Sequence, residues 1–162
     1  MKIIITALLV FFSVEVFAQT IAARDLQLLP GSWKGTLTYI DYGTGKPFTM
    51  PANIDVTQIA QSNQFVVAFS YPKEPKANGN DTFLISNNGK MFNGAPVKKV
   101  TLLKDGGIMI VTEKDGEDGN DNKKAILKHT YTIEKNNFTN VKEVKFIGEE
   151  KWMIRNEYKF SK

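Results

Sequence analysis

The feature that most constrains this chain is an alternation of apolar and polar residues with a period of two. In the first such segment, Trp33, Leu37 and Tyr39 alternate with polar side chains. A period of two is typical of a β-strand, whose successive side chains point to opposite faces of the sheet. Comparable segments recur at residues 48–57, 65–71, 81–86, 97–103, 108–113, 125–134, 138–147 and 151–160. A short tenth candidate lies at 90–93, so the pattern predicts an all-β chain.

Short turn signals separate these segments and decide how they connect. Examples are the glycine-containing links at 43–45, 87–89 and 105–107. Links of this length form hairpins, which join antiparallel strands. No gap is long enough for the crossover that a parallel pair requires. An up-and-down barrel and a sandwich remain, and we favour an antiparallel up-and-down barrel of 8–10 strands because closure removes both edges of a long meander.

Two local features modify this architecture. Residues 20–29 form the only good helical pattern after the N-terminal segment, and they predict a short helix before the first strand. Pro51 interrupts the second strand pattern and indicates a bend or bulge, since proline cannot donate to the strand ladder.

The first 18 residues have the layout of a secretory signal peptide. Lys2 supplies a positive start, residues 3–12 form an apolar run, and Val16 and Ala18 occupy the −3 and −1 positions of a cleavage site. A ten-residue apolar helix spans only about 15 Å, half of a bilayer core, which disfavours a membrane anchor. We therefore expect cleavage after Ala18, export to the periplasm or out of the cell, and one domain over residues 19–162. No later segment is apolar enough to predict a membrane span.

Composition excludes several kinds of site. The chain has no Cys and one His, so a Cys nucleophile and a site with two or more His ligands are excluded. The net charge of +4 comes without a nucleic-acid motif. Residues 114–123 are rich in oxygen ligands, but counted from Asp118 the sixth and twelfth positions of an EF-hand loop are Lys123 and His129, where Gly and Glu are needed. We expect no metal, no cofactor and no nucleic-acid partner.

Gly31-Ser32-Trp33 opens the first strand pattern, directly after the helical stretch. A Gly-x-Trp at this place resembles the lipocalins and the wider calycin barrels. The resemblance implies that Trp33 closes the narrow end of a barrel and that a basic residue of the last strand covers its ring. In the last strand of this chain, Arg155 is the matching candidate.

The longer pattern Gly31-x-Trp33-x-Gly35 is also similar, more weakly, to the haem-binding nitrobindins. Their iron requires a His on a late strand, and the sole His of this chain is His129. As a haem ligand His129 would need an open apolar pocket, and as a general base it would need a nucleophile and an orienting acid nearby. The sequence shows none of these, so we interpret His129 as a surface or hydrogen-bonded strand residue.

A closed barrel of this strand number is wide enough to hold one small ligand. The apolar and aromatic residues of the rows taken to face inward are the candidate lining. They are Leu37, Tyr39, Met50, Ile54, Phe65, Val67, Phe69, Phe83, Ile110, Tyr131 and Tyr158. The alternative is that these side chains pack against each other and fill the interior.

Our leading hypothesis is therefore an exported, monomeric, lipocalin-like barrel that binds a small hydrophobic or amphipathic ligand without catalysis. The alternative is an interaction protein with a filled barrel that acts through its loops, with residues 72–80 as the contact loop. An enzyme is disfavoured because the chain lacks a nucleophile motif. An interior cavity would favour the binder, and an exposed apolar patch on a packed barrel would favour the interaction protein.

Overall fold

The computed structural model describes residues 19–162, and the predicted signal peptide lies outside the described residues. The described chain forms one antiparallel sheet of ten strands. The strands are β1 (Gly31–Ile40), β2 (Pro47–Gln58), β3 (Gln64–Ser70), β4 (Gly79–Leu84), β5 (Met91–Phe92), β6 (Ala95–Leu102), β7 (Ile108–Asp118), β8 (Lys123–Ile133), β9 (Asn137–Phe146) and β10 (Met153–Ser161). The predicted all-β class and strand number are confirmed.

The first strand joins the two halves of the sheet, because it pairs with both its sequence neighbour and the last strand. Leu37 of β1 lies opposite Met50 of β2 on one side and Tyr158 of β10 on the other. The β1–β10 approach is close at Gly35, where a Cβ atom would lie 1.9 Å from the carbonyl oxygen of Lys159. Glycine at this position therefore allows the two strands to meet.

The barrel is nearly closed, with a gap on one side. In the order β4-β3-β2-β1-β10-β9-β8-β7-β6-β5, the two ends of the sheet meet at an isolated bridge between Ile85 and Phe92, next to which the Asn93 amide donates to the carbonyl oxygen of Leu84 at 2.9 Å. The pairing of β6 with β7 ends at Val97 and Thr112. Within residues 19–162, the second half of β7 therefore pairs with β8 alone, and it faces the start of β4 across the gap.

The narrow end of the barrel is plugged by the segment that precedes β1. Ile21, Leu26 and Leu29 are buried against the barrel core, and the Trp33 side chain is 1% exposed. The indole Nε1 of Trp33 donates to the carbonyl oxygen of Leu29 at 2.8 Å. Gly31 enters β1 with a φ of 123°, a backbone conformation that side chains disfavour. The plug fixes Trp33 at the base of the core.

The helical content of this plug is smaller than its sequence pattern suggests. Residues 20–29 contain a single 3₁₀ turn, Ala23–Leu26, whose first turn is held by a hydrogen bond from the Ala22 amide to the Asp25 carboxylate. Two more 3₁₀ turns, Pro75–Ala77 and Lys104–Gly106, lie in links between strands. None of the helices in the described part of the chain is long and apolar enough to cross a membrane.

Of the bend or bulge expected at Pro51, the bulge is not present. The register between β1 and β2 is unbroken there, with Thr36 opposite Pro51. Pairing of β2 with β3 begins only at Asn53, so Pro51 has a strand partner on one side alone. Such an edge-like position tolerates the missing N–H of proline.

Candidate ligand-binding cavity

A cavity of about 510 Å³ lies inside the barrel, beside the gap between β4 and β7. Its wall combines aromatic rings with polar side chains, and small residues line its rim. The lining residues are Phe69, Tyr71, Phe83, Tyr131 and Tyr158, then Asn80, Asp81, Asn93, Thr112, Lys114, His129 and Asn140, then Ala77, Gly79 and Ala95. Gly79, Asp81 and Lys114 are exposed, so the cavity opens to solvent at the gap.

The structure divides the sequence-predicted lining residues into two levels of the barrel. Four of them line the cavity: Phe69, Phe83, Tyr131 and Tyr158. Four others, Ile54, Phe65, Val67 and Ile110, are fully buried in the packed core beneath it. Of the remaining three, Met50 is buried, Leu37 packs partly buried against the core, and Tyr39 is half-buried against Phe48 with ring centres 5.5 Å apart. The interior is thus filled at its narrow end and hollow near the gap.

Sequence reasoning missed the polar half of the lining. His129 lies two residues before Tyr131, Thr112 two residues after Ile110, and Asn140 two residues after Phe138. The period of two places each polar residue on the same face as its apolar neighbour. The signal was present, but only apolar members of the inward rows were chosen as candidates.

Two tyrosines of the cavity share a hydrogen bond. The hydroxyl groups of Tyr71 and Tyr158 are 2.9 Å apart, and the Phe69 ring packs against both of their rings. Burial raises the pKa of Tyr158, and its hydrogen bond to Tyr71 raises that pKa further. Either hydroxyl can donate to the other, and the bond between them uses only one of the two hydrogens. The second hydrogen of the pair therefore stays available to a ligand.

Tyr131 forms the floor of the cavity. Its ring packs edge-on against Phe83 and Phe92, and burial raises the pKa of Tyr131 to about 12. The amide nitrogen of Asn93 lies 3.4 Å from the Tyr131 hydroxyl oxygen. The Asn93 orientation is set by its Oδ1, which accepts from the Leu84 amide at 2.9 Å. Tyr131 is thus a neutral phenol that accepts from Asn93.

His129 stacks on Tyr131, with ring centres 5.7 Å apart and planes 15° from parallel. Its Nδ1 lies 3.2 Å from Oδ1 of Asn140 on the neighbouring strand. Burial lowers the pKa of His129 below 6.5, the bond to Asn140 offsets part of this change, and Lys142 and Lys114 lower the pKa further. The imidazole is therefore neutral at pH 7. It is a hydrogen-bonded strand residue, as interpreted from the sequence, and it also lines the cavity.

An ionic cluster occupies the wide end of the barrel. The Asp118 carboxylate, whose side chain is 5% exposed, lies 3.3 Å from Nε of Arg155 and also binds the ammonium of Lys142. Arg155 stacks over the ring of Tyr42 and donates to the carbonyl oxygen of Ile40. The cluster connects β7, β9, β10 and the β1–β2 link, and so it braces the end of the barrel away from Trp33.

The prediction that Arg155 covers Trp33 is wrong. Lys162 is the residue over the indole, with its Nζ 4.4 Å from the ring centre. Because β1 and β10 are antiparallel, Trp33 at the start of β1 lies beside the end of β10, whereas Arg155 lies near the start of β10. A register shift between Ile154 and Asn156 marks the bulge at Arg155, whose side chain is 11% exposed.

Side chains that could bind a metal do not gather in the described residues. Within residues 19–162, no three His, Asp or Glu side chains converge in an arrangement that could hold a metal ion. The polar groups of the cavity are instead amides, hydroxyls, one imidazole, and a Lys and an Asp at the mouth. Such groups can orient a bound organic molecule by hydrogen bonds.

Comparison with known proteins supports the fold. No protein-family model and no curated protein sequence matches the chain. The crystal structure of Rv2717c from M. tuberculosis is similar, with a TM-score of 0.58, 12% sequence identity, and coverage of 86% of this chain and 95% of that chain. At this identity the similarity concerns the fold alone. This structural neighbour agrees with the nearly closed antiparallel barrel described above.

Proposed function

We propose that this protein is an exported binding protein that holds one small amphipathic molecule in the cavity beside the β4–β7 gap, without catalysis. The observation that carries the proposal is the cavity of about 510 Å³, which has aromatic walls and inward-facing polar groups. Ligand sites of proteins occupy roughly 300–1,000 Å³ and combine these two kinds of lining. The cavity favours a binder over an interaction protein with a filled barrel.

The aromatic wall accounts for affinity. Phe69 and Tyr71 stack with ring planes 8° from parallel, and Tyr158 adjoins Phe69 with ring centres 5.7 Å apart. Burial of about 200 Å² of apolar ligand surface against such a wall contributes about 5 kcal/mol at about 25 cal/mol per Å². Hydroxyl and amide groups of the same cavity then fix the orientation of the polar end.

Export is part of the proposal and is supported by the sequence of the first 18 residues. The positive start, the apolar run and the small residue Ala18 match the layout that signal peptidase recognises. The absence of cysteine is compatible with an oxidising compartment, since no free thiol is exposed to oxidation there. Cell fractionation, combined with N-terminal sequencing of the isolated protein, tests cleavage after Ala18.

Ligand binding is tested with the chain beginning at Gln19 and the fluorescent amphipath 1-anilinonaphthalene-8-sulfonate. We expect saturable binding with one site per barrel. Ala77→Trp places an indole at the exposed cavity rim and should weaken binding at least tenfold. Lys73→Trp, in the same link but outside the cavity lining, is the matched control and should leave the affinity unchanged.

Native mass spectrometry of the protein purified from its own host complements this titration. A retained small molecule, lost from the Ala77→Trp variant, would identify the natural ligand. Equal probe affinity in Ala77→Trp and the unaltered protein, or binding that does not saturate, contradicts a single site in the barrel.

A further inference from the structure

The proposed function does not say which polar group of a ligand the cavity recognises. The hydrogen bonding of His129 indicates which kind of group fits. Its Nδ1 faces Asn140 Oδ1, an oxygen that can only accept, so Nδ1 carries the hydrogen. In the neutral ring the other nitrogen, Nε2, is then an acceptor. The described residues contain no buried side-chain nitrogen or oxygen that lacks a hydrogen-bond partner. Nε2 has no protein partner among the described residues, so it is exposed to solvent, and His129 is one of the residues that line the cavity.

Most other polar groups deep in the cavity can donate. The hydrogen of Tyr131 is free because its oxygen accepts from Asn93. The bond between Tyr71 and Tyr158 uses only one of their two hydroxyl hydrogens, so the other hydrogen is free. Asn140 keeps its NH₂ group, since its oxygen is occupied by His129. The Asp81 carboxylate is a further acceptor, but it lies at the exposed mouth and one of its oxygens accepts from the Thr82 amide.

Thr112 is placed to complete a pair with His129. The two residues are directly opposite each other in the β7–β8 register and both line the cavity. Side chains opposite each other in an antiparallel pair have Cβ atoms about 4.5–5.5 Å apart. A ligand hydroxyl between them can donate to His129 Nε2 and accept from the Thr112 hydroxyl. The surrounding rings of Tyr131 and Phe83 offer faces and edges to an aromatic ring.

We propose that the cavity selects small phenols, whose hydroxyl group donates to Nε2 of His129 while the ring lies among the aromatic side chains. His129 is then a specificity-determining residue, with Asn140 as the positioning residue that fixes its tautomer. The inference rests on the proposed function because it uses the same cavity. It predicts that a phenol binds more tightly than the methyl ether of the same ring. The shape and the apolar area of the two compounds do not give this preference, whereas the ether has no hydrogen to donate.

The experiment compares 2-naphthol with 2-methoxynaphthalene by calorimetric titration at pH 7.5. The unaltered protein should bind the naphthol at least tenfold more tightly than the ether. His129→Leu removes the acceptor at similar size and should reduce this ratio to about one, while the ether keeps its affinity. His129→Gln retains an acceptor oxygen and should retain part of the preference.

A second measurement needs no variant. Protonation removes the Nε2 lone pair, so the preference should disappear as the pH falls below the pKa of His129, with the ether as internal control. The titratable and charged groups that share the cavity with His129 or act on it are Lys114 on β7, Tyr131 on its own strand, Lys142 on β9, Tyr158 on β10 and Asp81 at the mouth on β4.

The outcomes separate the two proposals. Equal affinity for naphthol and ether, or a preference that survives both His129→Leu and low pH, overturns the phenol inference. If neither naphthalene compound binds but 1-anilinonaphthalene-8-sulfonate does, the phenol inference fails and the binding function stands. If no probe binds at all, the binding function itself fails.

Discussion

The ammonium of Lys162 lies 4.4 Å from the centre of the Trp33 ring and donates to the carbonyl oxygens of Leu28 and Pro30 at 3.1 and 3.2 Å. One side chain thus joins the end of β10, the plug before β1 and the indole that closes the core. A cation over an indole at an exposed site contributes about 0.5–1 kcal/mol, and each hydrogen bond adds about 1 kcal/mol or less.

Lys162→Met should lower the free energy of unfolding by about 1–2 kcal/mol, because it removes the charge and the donors but keeps the length of the side chain. Urea denaturation followed by tryptophan fluorescence measures the change. Lys159→Met removes an exposed ion pair with Glu157 on the same strand and should change stability by less than about 1 kcal/mol. Equal effects of the two substitutions would contradict a specific role for Lys162.

Gly35→Ala should destabilise the barrel more than a Gly→Ala change at any other glycine of the described residues, because its new Cβ makes the shortest contact. The added Cβ would meet the Lys159 carbonyl 1.9 Å away, so β1 and β10 must separate. Overpacking of this kind costs about 1–3 kcal/mol or more. Gly79→Ala is the control because a Cβ there has nothing within 4 Å. The midpoints of thermal unfolding of the two variants should differ by several degrees. Matching midpoints would show that β1 and β10 can separate at Gly35 at little cost.

Asp118→Asn should destabilise the wide end of the barrel. The substitution preserves shape but leaves Arg155, which is 11% exposed, and Lys142 without their carboxylate partner. Removal of one member of a buried ion pair costs about 3–5 kcal/mol, whereas an exposed pair contributes about 0–1 kcal/mol. Glu157→Gln in the exposed pair with Lys159 is the comparison. Similar unfolding free energies for both variants would mean that water screens the Asp118 cluster.

Stability should fall as the pH drops below about 6.5 because of His129. Burial lowers its pKa in the folded state, whereas the unfolded residue titrates near 6.5. Below pH 6.5 the unfolded chain takes up a proton that the folded chain resists, so the free energy of unfolding falls as the pH falls. His129→Gln should flatten this dependence in urea titrations at a series of pH values. An unchanged slope in the variant would assign the dependence to carboxylates.

The sequence predicted what depends on local periodicity and missed what depends on pairing geometry. Trp33 in the core and the ten strands follow from alternation and turn residues, which act over a few positions. The position of Lys162 over Trp33 does not follow from these signals, because it depends on which end of β10 lies beside the start of β1. Placement of Arg155 also depended on a bulge that the sequence does not mark.

The candidate site shows the same division. Tyr131 and Tyr158 were predicted as lining residues because they belong to apolar rows. The period of two also places His129 on the same face as Tyr131. His129 was nevertheless left out of the predicted lining, because only apolar residues were chosen for it. The hollow at the gap was not predictable, because it arises where the pairing of β7 with β6 stops at Thr112 while β7 continues to Asp118.

If the cavity binds a ligand as proposed, the gap between β4 and β7 gives that ligand a route in and out. A route through the flank of the barrel crosses no strand ladder, so entry would require neither unfolding nor the opening of a lid. Uptake would then proceed close to the rate of molecular encounter, and release would be governed by the strength of the contacts alone. Kinetics of this kind suit a carrier that exchanges its cargo rapidly rather than a long-term store.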